Sequence, residues 1–123
     1  MIVVDSCGWL EYFTDGSLAD KYWSYLKHSH EIIVPTIIIY EVYKKVKREI
    51  GEEPALMAVA QMQSAKTTVL TESLALLAAD LSLQLALPMA DAIVYATARF
   101  NKAMLISSDE HFKGLDGVEY LKK

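Results

Sequence analysis

The sequence predicts an α/β fold in which a parallel sheet is covered on both faces by helices. Three observations point to it. Short apolar runs alternate with longer segments of helical period, the order that builds parallel sheets. The opening "MIVVD" is β-branched and reads as a buried strand. Two of the strand-like runs, "MIVVD" and "AMLISSD", end in an acid, at the sheet edge where such folds build sites.

The elements follow in order. After "MIVVD", the stretch "SCGWLEYFTDG" reads as a short helix closed by Gly16. Ser17 is positioned to cap "LADKYWSYLKHSH", whose Leu18, Tyr22, Tyr25 and Leu26 share a stripe. "EIIVP" is a second strand ended by Pro35. Thr36 can cap the helix "IIIYEVYKKVKREI", which stops at Gly51. "EPALMAVAQMQSA" is a further helix with Pro54 near its start, and "KTTVL" a third strand. A leucine-rich helix runs from Thr71 to Leu87, and Pro88 forces a break before the helix of "LPMADAIVYATARF". "AMLISSD" is a fourth strand, "EHFKG" a turn and "VEYL" a last strand.

At 123 residues the chain is the size of one domain, 1–123, and its 53% apolar content is enough for a core. No repeat or low-complexity segment interrupts it. A formal charge of −4 argues against binding nucleic acid through a generally basic surface, so such a role needs a local patch. The single cysteine, Cys7, excludes an internal disulfide. Three scattered histidines, His28, His30 and His111, argue against a structural zinc site. The N-terminus lacks the basic region of a signal peptide, and no apolar run is long enough to span a bilayer. The expectation is a soluble, cytoplasmic domain.

Four acids stand in apolar surroundings: Asp5, Glu41, Asp91 and Asp109. Each has an ordinary explanation. Asp5 can cap the first helix, and Glu41 can pair with Lys45 four residues on. Asp91 can be a first-turn acid facing the helix dipole. Asp109 can be a turn residue. Taken together these explanations weaken. Strand C-termini and helix N-termini share one edge of a parallel sheet, so all four acids can converge there. Clustered carboxylates repel one another and resist desolvation, and a hard divalent cation is the usual reason to keep them. An all-oxygen set suits Mg²⁺ or Mn²⁺.

These residues fall in four stretches: "VVDSCGWLEYF", "PTIIIYEVYKKVKRE", "LALPMADAIVYATAR" and "LISSDEHFKGLDGVEYL". In that order and spacing the chain resembles PIN-domain proteins, most closely VapC-type toxins, over nearly its whole length. The resemblance implies a three-layer α/β/α sandwich with a central parallel sheet, Rossmann-like, and metal-dependent ribonuclease activity; the expected leaving group is the 3′ oxygen, as is usual for two-metal phosphodiester hydrolysis. It implies metal-binding acids at Asp5, Glu41, Asp91 and Asp109. Ser107 stands where the family carries a Thr or Ser that orients the site, and Ser6 is a frequent small polar neighbour. A further acid near the last aspartate stays unassigned between Glu110 and Asp116. The resemblance also implies an RNA substrate, a cognate antitoxin and a homodimer.

Other residues have plainer roles to set beside functional ones. Lys44, Lys45 and Arg48 share the Glu41 face and can contact phosphate or simply be solvated. Arg99 and Lys102 offer a smaller patch. Trp9, Tyr12 and Phe13, like Tyr22 and Trp23, suit core or interface better than base stacking. Cys7 has acids rather than bases nearby, which would raise its pKa, and reads as packing. His111 reads as a turn residue.

The expected function is therefore an Mg²⁺- or Mn²⁺-dependent endoribonuclease acting as the toxin of a toxin–antitoxin pair. The alternatives are an RNA-processing PIN nuclease without an antitoxin, and a non-catalytic PIN-like binding or assembly subunit. A phosphoacceptor signalling domain fits poorly: no second acid adjoins Asp5, "TTVL" ends without an aspartate, and "LISSDEHF" lacks a lysine at the strand end.

Overall fold

The computed structural model describes residues 1–123. In chain order the elements are β1 (Ile2–Val4), α1 (Ser6–Phe13), α2 (Ala19–Leu26), β2 (Ile33–Pro35), α3 (Thr36–Glu49) and α4 (Glu52–Met62), then β3 (Lys66–Thr68), α5 (Glu72–Leu85), α6 (Met89–Phe100), β4 (Met104–Ser107) and β5 (Val118–Tyr120). Short 3₁₀ turns fill Ser29–Glu31 and Glu110–Phe112.

Every strand pairing is parallel. β1 pairs with β4 in the register Val4↔Ile106, β4 with β5 at Ile106↔Glu119, and β2 with β3 at Ile33↔Lys66. A parallel bridge between Ile2 and Ile32 joins the two groups, giving the order β3-β2-β1-β4-β5. The chain steps one way from β1 to β3, then returns to the far side of β1 with β4. That reversal puts a topological switch point between β1 and β4. Among the helices, α1 packs against α2 and α3, α3 against α4, and α5 against α6.

The core is a continuous cluster of 27 buried residues. The central strands supply Val3, Val4, Leu105 and Ile106, all essentially without exposure. Each such side chain contributes about 1.5–3 kcal/mol of burial. α6 is the most enclosed helix. Ala92, Ala96 and Ala98 are buried, and their small side chains let it sit close to its neighbours. β3 is an edge strand whose residues are mostly exposed.

Several local expectations shift. The first helix stops at Phe13 rather than Gly16, because Asp15 turns into the left-handed region at φ 53° and the Gly16 N–H closes back on the Glu11 carbonyl at 2.8 Å. Ser17 does not cap α2; Leu18 holds that position with no side-chain bond. Thr36 is the first residue of α3, and Pro35 precedes it as an uncapped end. α5 ends at Leu85, since Ala86 adopts a left-handed conformation at φ 56°. With Pro88 next in line, the axis turns by 114° between α5 and α6. No single helix is long and apolar enough to cross a membrane.

Gly8 shows how tightly α1 is drawn onto the sheet. A Cβ there would collide with the Tyr22 ring and lie 2.7 Å from Val4 Cγ1. Gly8→Ala should therefore cost about 1–3 kcal/mol, the usual penalty of overpacking. Urea unfolding should show a lower midpoint with an unchanged slope. An unshifted midpoint would mean that the Tyr22 ring moves aside freely.

Candidate metal centre

The switch point opens beyond the C-terminal ends of β1 and β4. Asp5 follows β1 directly and is only 4% exposed. It caps α1, accepting the Ser6 backbone N–H on Oδ1 at 2.8 Å. Its other oxygen accepts the Ser107 hydroxyl at 2.8 Å, and Ser107, at the end of β4, is wholly buried. Ser107 Oγ in turn accepts the Asp109 backbone N–H at 3.0 Å. One hydroxyl thus ties the acid after β1 to the loop after β4.

Asp109 caps the 3₁₀ turn, accepting the His111 backbone N–H at 2.9 Å. Asp91 lies in the first turn of α6. The His111 ring connects the two: its Nδ1 is 2.7 Å from Asp91 Oδ2 and 3.2 Å from Asp109 Oδ1. Glu41, in the second turn of α3, makes no ion pair with Lys45, which is exposed. Each of the three aspartates plays its ordinary local role and faces the switch point as well.

The electrostatics record how crowded the acids are. Burial is the main force pushing the Asp5 carboxyl up to about 6, with Asp91 and Asp109 adding repulsion against its bonds to Ser107 and Ser6. Burial likewise pushes Glu41 up to about 7, with Asp5 the next cause and the Ser6 hydroxyl opposing. Asp91 is raised by burial and then by Asp109, while the His111 ring opposes the shift. The charges of Asp5, Asp91 and Asp109 all act on Glu41, so all four acids share one electrostatic neighbourhood.

A model of the PIN domain matches residues 2–118. The chain belongs to the PIN-domain family. Among curated proteins no significant match is found. Among solved structures, a toxin–antitoxin complex from Klebsiella pneumoniae is similar, with a TM-score of 0.84 at 20% identity, covering 100% of both chains. VapC20 from Mycobacterium tuberculosis, described as a sarcin–ricin loop cleaving toxin, superposes with a TM-score of 0.78 at 16% identity, over 100% of this chain and 98% of that one. VapBC2 from Rickettsia felis, bound to a promoter DNA fragment, gives 0.76 at 12% identity, over 99% and 98%. The PIN domain described here thus has the fold of VapC toxins.

The donor set of this PIN domain fits a hard divalent cation. Its acids are oxygen donors whose mutual repulsion and burial a cation would offset. Ligand atoms of Asp91, Asp109 and His111 already lie within 4.8 Å of one another. His111 is therefore more than the turn histidine its sequence context suggests. The only hint in the sequence is its position two residues after Asp109. Cys7 is more than packing: its Sγ is 3.6 Å from Asp5 Oδ2 and from Ser107 Oγ. Burial first, then the Asp5 charge, raises its thiol. Glu110 and Asp116 stay outside the cluster; both are exposed, and Asp116 offers only its carbonyl, to Tyr95.

Two open grooves meet at Cys7. One, about 410 Å³, is lined by Glu41, Ser6, Tyr40 and the basic trio Lys44, Lys45 and Arg48. The larger, about 550 Å³, runs past Glu11 and Glu49 and carries none of the four acids. Arg99 and Lys102 line a separate hollow with Met104, at the N-terminal end of β4 and so at the opposite edge of the sheet. The aromatics divide between core and surface, with Trp23 exposed. Trp9 and Tyr22 are buried, and Tyr12 stacks on Trp23 at 5.3 Å.

The raised carboxyls fix the sign of a pH effect in metal-free protein. Between the ordinary values of 3.8 and 4.5 and the raised values near 6 and 7, the folded chain holds more protons than the unfolded one. Stability should therefore fall as pH rises through this window and level off above about 7. For Asp5 alone the loss is on the order of 3 kcal/mol. Chelator-treated protein melted from pH 4 to 8 checks this, with Asp5→Asn flattening the decline. A melting profile that climbs over the same range would show that the acids are not crowded.

Proposed function

We propose that this PIN domain is a divalent-metal-dependent endoribonuclease and the toxin of a toxin–antitoxin pair. The observation that carries the reading is the convergence of Asp5, Glu41, Asp91 and Asp109 at the sheet's switch point, with Asp5 buried and its carboxyl pushed upward. Such a cluster costs folding stability, and a bound cation would offset that cost.

Asp5, Asp91, Asp109 and Glu41 are the residues that would hold Mg²⁺ or Mn²⁺. When bound, the ion supplies an activated water and offsets charge on a phosphodiester. Ser107 holds Asp5 Oδ2 in a fixed direction through a buried bond and leaves its second oxygen to Ser6. Glu41 stands at the mouth of the 410 Å³ groove, where Lys44, Lys45 and Arg48 give a local basic patch on an acidic protein. That groove suits the backbone of a single RNA strand, with the lysines and arginine pairing phosphates beside the scissile bond. The 3′ oxygen is the leaving group, as is usual in metal-assisted phosphodiester hydrolysis.

The antitoxin follows from likeness to proteins solved as toxin–antitoxin and VapBC complexes. An acidic centre attracts a basic partner segment, and an arginine can pair with a carboxylate bidentately. A homodimer is supported by exposed apolar side chains on and beside α5: Leu76 and Leu83, seven residues apart on one face, and Met89.

Asp91→Asn separates a ligand from a helix-start acid. Asn serves equally well near a helix start, so a purely local role predicts unchanged cleavage. As a ligand, Asp91→Asn should leave metal-free stability equal or higher, lose most of the stabilisation by added Mn²⁺, and cut RNA slower by orders of magnitude. Melts with and without Mn²⁺ beside an RNA cleavage assay decide it. Full activity with the full Mn²⁺ shift would remove Asp91 from the centre.

The basic groove has its own test. Lys44→Ala with Arg48→Ala should weaken RNA binding and reduce the slope of log affinity against log salt by roughly 0.7 for each phosphate that these side chains neutralise. An unchanged slope would mark them as merely solvated.

A further inference from the structure

We propose that His111 supplies a nitrogen ligand to the metal centre and so biases this PIN domain towards Mn²⁺ over Mg²⁺. The inference rests on the metal-nuclease reading and specifies which ion that site takes.

Three atoms carry it. His111 Nδ1 faces two carboxylate oxygens, Asp91 Oδ2 at 2.7 Å and Asp109 Oδ1 at 3.2 Å. Bonds of about 2.1 Å in an octahedron set neighbouring ligand atoms roughly 3.0 Å apart. Both distances are close to that edge length, so the ring nitrogen already stands near where a ligand atom would sit. The ring is also held there by its own backbone. The His111 N–H donates to Asp109 Oδ1 at 2.9 Å, which fixes the turn that presents the ring. The side chain is 54% exposed and has no core to fill; in the metal-free chain the 2.7 Å hydrogen bond to Asp91 Oδ2 holds the ring beside the two carboxylates.

The chemical consequence lies in the donor atom. Four carboxylates make an all-oxygen set, which Mg²⁺ accepts readily while keeping several waters. An imidazole nitrogen adds a softer donor, and affinity for such donors rises along the first-row transition ions. Mg²⁺ gains little from it, whereas Mn²⁺ gains a bond. Coordination through Nδ1 needs its lone pair, so the Nδ1–H that faces Asp91 in the metal-free chain would be given up to solvent on binding and the ring would keep its proton on Nε2. The opposite role is also physically coherent. A protonated ring between Asp91 and Asp109 would act as a built-in cation and compete with the ion. The two roles predict opposite changes in affinity.

The test uses the full chain, stripped of metal, with Mn²⁺ alone as probe. Pulsed EPR of the Mn²⁺-bound wild type should show a nitrogen hyperfine coupling, and His111→Ala should lack it. The variant should bind Mn²⁺ at least about tenfold more weakly, since removing even a group that only supports a metal ligand typically costs 10–100-fold. Its Mg²⁺ affinity, read by competition for Mn²⁺, should move far less. Equal losses for both ions would overturn the proposal, as would tighter Mn²⁺ binding in the variant. Wild type that binds Mn²⁺ without nitrogen coupling overturns the His111 assignment alone. Wild type that binds no Mn²⁺ overturns the metal-nuclease reading and this proposal with it.

Discussion

The Ser107 hydroxyl donates to Asp5 Oδ2 across the junction of β1 and β4, 2.8 Å apart and fully buried. Much of the candidate centre depends on this bond. It exists because β1 and β4 are parallel neighbours in a register that brings Asp5 N–H to Ile106 O at 3.0 Å. The same hydroxyl accepts from the Asp109 backbone, so the loop after β4 is positioned by the acid after β1. A buried carboxylate without such partners would cost far more to hold in place. Cys7 and Tyr22 extend the network, with the Tyr22 hydroxyl meeting Ser108 Oγ and the Ser108 N–H donating to Cys7 Sγ.

The aspartates illustrate why ordinary and functional explanations need not compete. Asp5 caps α1, Asp91 sits in the first turn of α6, and Asp109 caps a 3₁₀ turn. Each local role anchors a carboxylate near a helix start, where backbone N–H groups and the dipole favour negative charge. A parallel sheet collects such helix starts along one edge. Local capping thus delivers the side chains, and topology assembles them. Glu41 differs: it reaches the same neighbourhood from the second turn of α3, without an ion pair of its own.

The crowding has an energetic consequence. Burial and mutual repulsion raise three of the four carboxyls, so the metal-free fold carries a charge cluster it would be more stable without. Functional centres commonly hold such strain, with the surrounding core supplying the stability. Here the supporting core is dense immediately behind the acids, in Val3, Val4, Leu105 and Ile106.

Much of this was legible in the residues themselves. Alternating apolar runs and helical segments specify the α/β class because period and burial are local properties of sequence. The order of four stretches, each bearing one of the four candidate acids, identifies the family and its candidate ligands. Pro88 dictates the break between α5 and α6, since a proline cannot continue a helix. Other features were decided only in three dimensions. Whether Glu41 pairs with Lys45 or faces Asp5 depends on which side of α3 meets the sheet, and periodicity alone does not reveal that. The basic trio acquires meaning only because a groove places it beside Glu41, whereas Arg99 and Lys102 fall at the opposite edge of the sheet. His111 reads as a turn histidine because its partner Asp91 lies in another element, brought close only when α6 packs against β4. Residue types and local conformation are set by the sequence directly; long-range side-chain neighbours follow from strand order, which no local signal encodes.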